Sequence, residues 1–159
     1  MEELDTLVAD FEKACNKLSQ YQIEIGVFSS ENERKDTVRV GVTNAELMFI
    51  HEYGSPAQHI PARPVLQMTI DYANDNLLNK TIDKALAAYF ESNFDEKEYE
   101  KELEKLCVRM ENYARSIIYD NDGRLAPNSP RVAAAKGGNH PLFDTGQLAR
   151  SITCRLVKI

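Results

Sequence analysis

The residues with the clearest potential for chemistry are Phe143-Asp144-Thr145-Gly146. An Asp-Thr-Gly run after apolar residues is typical of aspartic proteases, in which two such aspartates share one proton. A homodimer would supply the pair from one copy per chain, with Asp144 as the catalytic group. The residues that follow, 147–150, instead favour a helical turn in which Asp144 or Thr145 accepts hydrogen bonds from the first backbone amides. We favour the capping interpretation and keep the protease as an alternative.

Two further groups of residues invite a chemical interpretation. The pair His51-Glu52 has the composition of an acid–base couple, but one such pair on a short helix is more often a surface pair. The run Asp120-Asn121-Asp122-Gly123 is similar to half of a calcium loop, yet residues 127–135 contain no acid to complete it. The three histidines lack metal-ligand spacing, and the three cysteines form no CxxC pair. We therefore expect no catalytic residue, no metal and no cofactor.

Composition and charge narrow the class of protein. The chain has 159 residues, 43% of them hydrophobic and 28% charged, which is typical of one globular domain. No apolar run reaches the ~20 residues that span a bilayer. The net charge of −6 argues against non-specific binding to nucleic acid. Residues 1–119 carry 13 Lys/Arg and 22 Asp/Glu, whereas residues 120–159 carry six basic and three acidic residues. An acidic body and a basic tail would attract copies of the chain head to tail.

The N-terminal half predicts a helix, a hairpin and a rigid loop. Apolar residues at three- and four-residue steps predict a helix over residues 1–19, and alternation then predicts strands over 21–27 and 37–42. These strands form a β-hairpin (21–42) with a long exposed tip, 29–36. A short helix from Thr43 and Asn44 ends at Gly54, a C′ glycine. Three prolines between residues 56 and 64 then favour an extended loop.

The C-terminal half predicts two long helices and a final strand. Helical periodicity covers residues 64–91 and 96–119, and the short break between them predicts an antiparallel pair over 64–119. Residues 124–159 are rich in loops, with a short helix from Pro130 to Ala135 and a strand over 152–156. We expect one α+β domain over residues 1–159, with a small, mostly antiparallel sheet of the hairpin and the C-terminal strand packed against the two long helices.

Three sequence blocks, taken in order, are similar to one known family. They are His-Glu-Tyr-Gly at 51–54, Ile-Pro-Ala-Arg-Pro at 60–64 and Leu-Phe-Asp-Thr-Gly-Gln-Leu at 142–148, and the last is followed by Ser151-Ile152. Their combination resembles the neck or tail-completion proteins of tailed bacteriophages, also called the virion-morphogenesis or tail-component family. The family pattern falls on Glu52, Tyr53, Gly54, Ile60, Pro61, Arg63, Pro64, Leu142, Asp144, Thr145, Gly146 and Leu148. The acidic helix over 91–111 departs from that pattern.

This resemblance implies a structural virion protein without enzymatic activity. Such proteins form a ring, with six-fold symmetry in the family, at the head-proximal end of the tail, where they complete the tail and join it to the head. The implied partners are copies of the chain itself, a tail-tube or tail-terminator protein, and head-side connector or neck proteins. DNA would pass through the ring only as cargo, and no membrane is involved. The resemblance places the protein in the virion, assembled in the bacterial cytoplasm.

The sequence is also compatible with other functions. The nearest is a head-completion or connector protein on the capsid side of the same joint; the others are the aspartic-protease-like enzyme and a regulatory or toxin–antitoxin binding module. The hairpin tip 29–36 and the loop 55–63 are candidate contact arms for a ring. We also expect Arg63 to pair with a carboxylate or a backbone carbonyl and so to fix the loop.

Overall fold

A computed structural model describes residues 2–31 and 41–159 of the chain. In these ranges the protein has the predicted α+β fold. The helices are α1 (Glu2–Leu18), α2 (Asn44–Tyr53), α3 (Val65–Asn76), α4 (Leu78–Glu91), α5 (Glu96–Tyr119), α6 (Pro130–Lys136) and α7 (Gln147–Ser151). The strands are β1 (Tyr21–Gly26) and β2 (Thr153–Lys158), and short 3-10 turns cover Ser29–Glu31 and Pro56–Gln58.

The small sheet joins the two ends of the chain. Strand β1 pairs antiparallel with β2, with Tyr21 opposite Lys158 and Ile25 opposite Cys154. The hairpin partner predicted for β1 is residues 37–42. Residues 32–40, which include most of the predicted tip (29–36) and the first part of that strand, lie outside the described residues. Gly41 and Val42 belong to no strand. The alternating strand β1 was therefore predicted correctly, and its observed partner is the C-terminal strand.

The long helix α5 is the axis around which the other elements pack. Its buried face consists of Tyr99, Leu103, Leu106, Cys107, Met110, Ala114, Ile117 and Ile118. This stripe follows the predicted spacing, and Asp95 caps the helix by accepting a hydrogen bond from the Lys97 amide at 3.0 Å. The N-terminal half of the stripe packs against α1 and α4, whereas the C-terminal half contacts the 142–152 segment.

The helix predicted over residues 64–91 is divided at Leu77. Helices α3 and α4 meet there, and the Leu77 amide still bonds to the Ala73 carbonyl at 2.9 Å. The Thr81 hydroxyl donates to the Leu77 carbonyl at 2.9 Å, and the Asn76 amide donates to the Tyr72 carbonyl at 3.0 Å. Side chains that bond to carbonyls four residues back tend to bend helices, and these two bonds lie on either side of the division.

Candidate interaction groove

The loop after α2 is tightly folded around Gly54. Ser55 and Ile60 exchange backbone hydrogen bonds of 2.8 and 3.0 Å, so the chain returns on itself within six residues. Gly54 has a φ of 73° and a ψ of 177°, a region that only glycine adopts readily. A Cβ atom at this position would lie 2.8 Å from the Ala62 nitrogen and 2.9 Å from the Ile60 oxygen. Gly54, which ends α2 as its sequence predicts, is therefore also required for loop packing.

Glu52 holds the start of α3 against the end of α2. One carboxylate oxygen accepts from the Leu66 amide at 3.0 Å, and the other accepts from the Gln67 amide at 2.8 Å. The first amides of a helix have no partners within the helix and carry a partial positive charge, so a carboxylate is stabilising there. Glu52 thus caps α3 from the end of α2. This role explains the acidic residue of the first block better than acid–base chemistry does.

Arg63 is buried and joins the rigid loop to the segment after α5. Only 4% of its surface is exposed, and its Nε and Nη2 atoms donate to the carbonyls of Ala126 and Pro127 at 2.6 and 2.7 Å. The prediction that Arg63 pairs with a carbonyl is confirmed. Nη1 lies 3.3 Å from Nδ1 of His51, and because the guanidinium can only donate, Nδ1 accepts and carries no proton. Burial lowers the pKa of Arg63 from its usual range.

The third block forms a turn whose cap differs from the prediction. Gly146, with a φ of 75°, is the N-cap residue of α7, and no side chain caps this helix. The capping role predicted for Asp144 or Thr145 is therefore wrong. The Thr145 hydroxyl accepts instead from the Gln147 amide group at 3.1 Å, and its carbonyl accepts from Arg150 at 3.0 Å. The left-handed glycine turns the chain so that Asp144 is exposed.

Residues of all three blocks meet around one groove of about 390 Å³. Its apolar wall includes Val42, Leu47, Ile50, Ile60, Pro61, Val132, Leu142 and Leu148, and its polar wall includes His51, His59, Arg63, Asn128, Lys136, Asp144 and Thr145. We call this surface the motif groove. Of the predicted residues, Ile60, Pro61, Arg63, Leu142, Asp144, Thr145, Gly146 and Leu148 line it.

The other predicted residues support the groove or face away from it. Glu52 and Gly54 fix its α2–α3 side through the contacts described above, and Pro64 precedes α3. Tyr53 is 70% exposed and contacts Phe49, which is 66% exposed, with ring centroids 4.9 Å apart. The two rings form an exposed aromatic pair on the outer face of α2.

Several groove residues were not recognised as site residues from the sequence. Asn128, Val132 and Lys136 line the groove from α6 and the loop before it. The Ser129-Pro130 start of α6 was predicted correctly, and the Ser129 hydroxyl accepts from the Val132 amide at 3.4 Å. No local pattern indicates that α6 faces a loop some 70 residues earlier, because that proximity depends on how α5 positions its two ends.

The acidic turn after α5 has an ordinary structural role. The Arg124 side chain lies between Asp120 and Asp122, with nitrogen–oxygen distances of 3.6 and 2.6 Å. This arginine lowers the pKa of Asp122 through a side-chain hydrogen bond. The carboxylates that suggested half of a calcium loop are thus paired with a cation from the same turn. Over residues 2–31 and 41–159, no three His, Cys, Asp or Glu side chains come together as a metal site requires.

None of the protein-family models compared with this sequence matches it, and neither does any curated protein or any solved structure. In the part of the chain that the structure describes, no helix combines the length and apolar composition needed to cross a membrane. A function for this chain must therefore be inferred from the geometry of the motif groove and from the resemblance of the three blocks.

Proposed function

We propose that this protein is a structural component of a tailed-bacteriophage virion that forms a ring at the head-proximal end of the tail. There it completes the tail and joins it to the head through protein–protein contacts. The observation that carries this proposal is the convergence of the three family-like blocks on one groove. Arg63 of the second block lies 3.3 Å from His51 of the first block, and residues of the third block line the same groove.

The contacts within the blocks are those of a scaffold. Glu52 caps a helix, Arg63 binds backbone carbonyls, and Gly54 permits close packing. Asp144 is exposed, and it is the one carboxylate among the described residues that line the groove. The aspartic-protease alternative would need a second copy of the chain to supply the carboxylate that shares a proton with Asp144. The scaffold contacts of Glu52, Arg63 and Gly54 favour binding over catalysis, with Asp144 on the rim of a contact surface.

A ring around the tail axis suits the charge of the chain. Closed rings of identical copies use heterologous contacts, in which two different surfaces of neighbouring copies meet. The acidic residues 1–119 and the basic residues 120–159 provide surfaces of opposite sign. A net charge of −6 lets DNA pass without being held, because fixed cations would bind its phosphates. The remaining partners are the tail-tube or tail-terminator protein on one side and head-side neck proteins on the other.

The test is electron microscopy of particles assembled without this protein. We expect DNA-filled heads lying beside detached tails, or tails with abnormal upper ends, and we expect the wild-type gene supplied in trans to restore joined particles. Normal tails together with heads that leak DNA would favour the head-completion alternative instead. Intact, joined particles in the deletion would overturn the proposed function.

A further inference from the structure

An exposed aromatic cluster lies at the opposite end of α5 from the motif groove. It consists of Phe11, Phe90 and Phe94, and we call it the aromatic knob. The knob sits beside the cluster that contains Tyr89 and Tyr99, near the start of α5, whereas the groove lies beside Ile117 and Ile118. Tyr99 and Ile117 are separated by ~27 Å along the helix axis at ~1.5 Å per residue. One chain therefore carries two different apolar surfaces at its two ends.

The rings of the knob support one another but remain open to solvent. Phe11 stacks on Phe90 with ring centroids 6.1 Å apart, and Phe90 meets Phe94 edge to face at 5.7 Å. Between 42 and 53% of each knob residue is exposed. Single exposed apolar residues are common on proteins, but a contiguous cluster of aromatic rings is typical of an interaction surface.

The backbone presents Phe94 to solvent at a conformational cost. Asn93 and Phe94 have φ values of 60° and 67°, and the Phe94 amide bonds to the Tyr89 carbonyl at 2.8 Å. This is a Schellman ending of α4, in which Asn93 suits the left-handed position. A bulky residue with positive φ, such as Phe94, is strained. Strain on an exposed aromatic residue indicates that the residue serves contact with a partner rather than folding of its own chain.

The charges around the two surfaces are complementary. Each knob phenylalanine is followed in the sequence by an exposed acid, namely Glu12, Glu91 and Asp95, with Lys13 and Lys97 as the nearby cations. Among the described residues, no ion pair joins Glu12 or Glu91 to a cation. The groove has Lys136 in its lining and Arg150 beside Gly146, and Asp144 is the one carboxylate among the described lining residues. Arg63 also lines the groove, but it is buried and donates to carbonyls of its own chain.

We propose that the aromatic knob of one copy docks into the motif groove of the next copy. This inference rests on the proposed ring and names the two surfaces that build it. Apolar rings fill the apolar wall of the groove, and the flanking acids face its cationic residues. Because the surfaces differ, the contact is heterologous and continues from copy to copy.

The experiment measures self-association by sedimentation velocity at rising concentration of the full chain. We expect the wild type to assemble, and two variants to remain monomers: Phe11→Glu with Phe94→Glu, which disables the knob, and Val132→Glu, which disables the groove. Each is expected to weaken association at least tenfold, since it places a charge in an apolar contact. A wild type that stays monomeric up to about 1 mM would overturn the proposal, because so weak a contact cannot hold a ring.

Matched controls separate the knob and groove from other apolar surfaces. Val108 is 59% exposed on α5, and Phe49 is 66% exposed on α2, so Val108→Glu and Phe49→Glu should assemble as the wild type does. Phe94→Asn removes the ring but suits the left-handed backbone. It should therefore stay as stable as the wild type while its association weakens, which separates contact from folding.

A mixture of the two disabled variants tests the direction of the contact. Val132→Glu disables the groove but keeps the knob, whereas Phe11→Glu with Phe94→Glu disables the knob but keeps the groove. A one-to-one mixture of the two should therefore form dimers and nothing larger. Dimers of Val132→Glu alone would show a knob-to-knob contact and overturn the proposal. If both variants assemble normally in solution yet fail to join heads to tails, this inference fails while the proposed function stands. If they are monomeric in solution yet yield joined particles, the knob–groove contact does not build the ring and this inference fails, whereas the deletion alone decides the proposed function.

Discussion

At the scale of single residues, the protein relies on side chains that bind the backbone of distant segments. Glu52 accepts from two amides of α3, and Arg63 donates to two carbonyls after α5. Such contacts give partners to helix-terminal amides and to the buried guanidinium of Arg63, and leaving these groups unsatisfied costs free energy. Substitutions at these positions should therefore affect stability before they affect any surface property.

Gly54→Ala should destabilise the fold by about 3 kcal/mol, because the added Cβ would meet the backbone of residues 60–62 and the φ of 73° would be strained. Urea unfolding followed by circular dichroism measures the change. Gly123→Ala is the matched control, since Gly123 has a φ of 89° but open space around it. It should cost only about 1 kcal/mol, from backbone strain alone. Equal losses in the two variants would contradict the close approach at Gly54.

Glu52→Ala should lower the free energy of unfolding by about 1–2 kcal/mol, since it leaves the Leu66 and Gln67 amides without their acceptor. Glu52→Gln, which keeps one acceptor oxygen, should lose less. Urea unfolding of both variants provides the comparison, with Glu98→Ala on the outer face of α5 as the control. A loss no larger than that of the control would show that the cap contributes nothing to stability.

At the scale of elements, two ties hold the molecule together at its opposite ends. Arg63 links the loop before α3 to the loop after α5, and Glu96 links the start of α5 to both α1 and β2. Each tie joins segments that are far apart in the sequence, so its loss should loosen the junction of elements. The two ties differ in burial. We therefore expect the Arg63 tie to be sensitive to substitution and the Glu96 tie to be sensitive to pH.

Arg63→Lys should cost about 2 kcal/mol, because a single ammonium cannot reach both the Ala126 and Pro127 carbonyls in the geometry of a guanidinium. Amide hydrogen exchange should accelerate in residues 125–128 more than in α4. The control is Arg109→Lys, a replacement of an exposed arginine on α5, which should change stability by less than about 0.5 kcal/mol. Unchanged exchange in residues 125–128 would show that Arg63 does not hold this loop.

Glu96 should make stability depend on acid pH. Hydrogen bonds from Lys158 and Lys17 lower the pKa of its carboxyl from 4.5 to about 2. A lowered pKa in the folded state contributes stability that is fully present above the unfolded value and is lost as the pH falls through about 2. The wild type should therefore exceed Glu96→Gln in unfolding free energy at pH 7, and the difference should shrink between pH 4.5 and 2. A constant difference would contradict this pairing, and Glu98→Gln controls for loss of charge on the same helix.

At the scale of the whole molecule, α5 separates two surfaces that a ring would bring together. Its buried stripe runs along the helix, so the start of α5 packs on α1 and α4 while its end packs on the 142–152 segment. This packing places the aromatic knob and the motif groove at opposite ends of α5. The proposed ring contact depends on both ends at once.

Asp144→Asn should leave head–tail joining at the wild-type level, because Asp144 is exposed and caps no helix. Complementation of a deletion, scored by infectious titre and by microscopy of joined particles, measures the effect. The protease alternative requires the carboxylate as a catalytic group and expects a loss of activity by orders of magnitude. Such a loss with normal folding would favour the enzyme over the structural protein.

Local chemistry in the sequence was enough to predict most elements of this fold. Helix α5 begins at its Asp95 cap and follows its apolar spacing to Tyr119, and β1 and β2 follow their alternation, because caps and periodicity act over a few residues. Only the tertiary structure decided that β1 pairs with β2, that Arg63 reaches Ala126 and Pro127, and that the three blocks line one groove. It also decided that Gly146, rather than Asp144 or Thr145, begins α7. Those outcomes depend on how the long helices pack, and packing joins residues whose separation in the sequence carries no local signal.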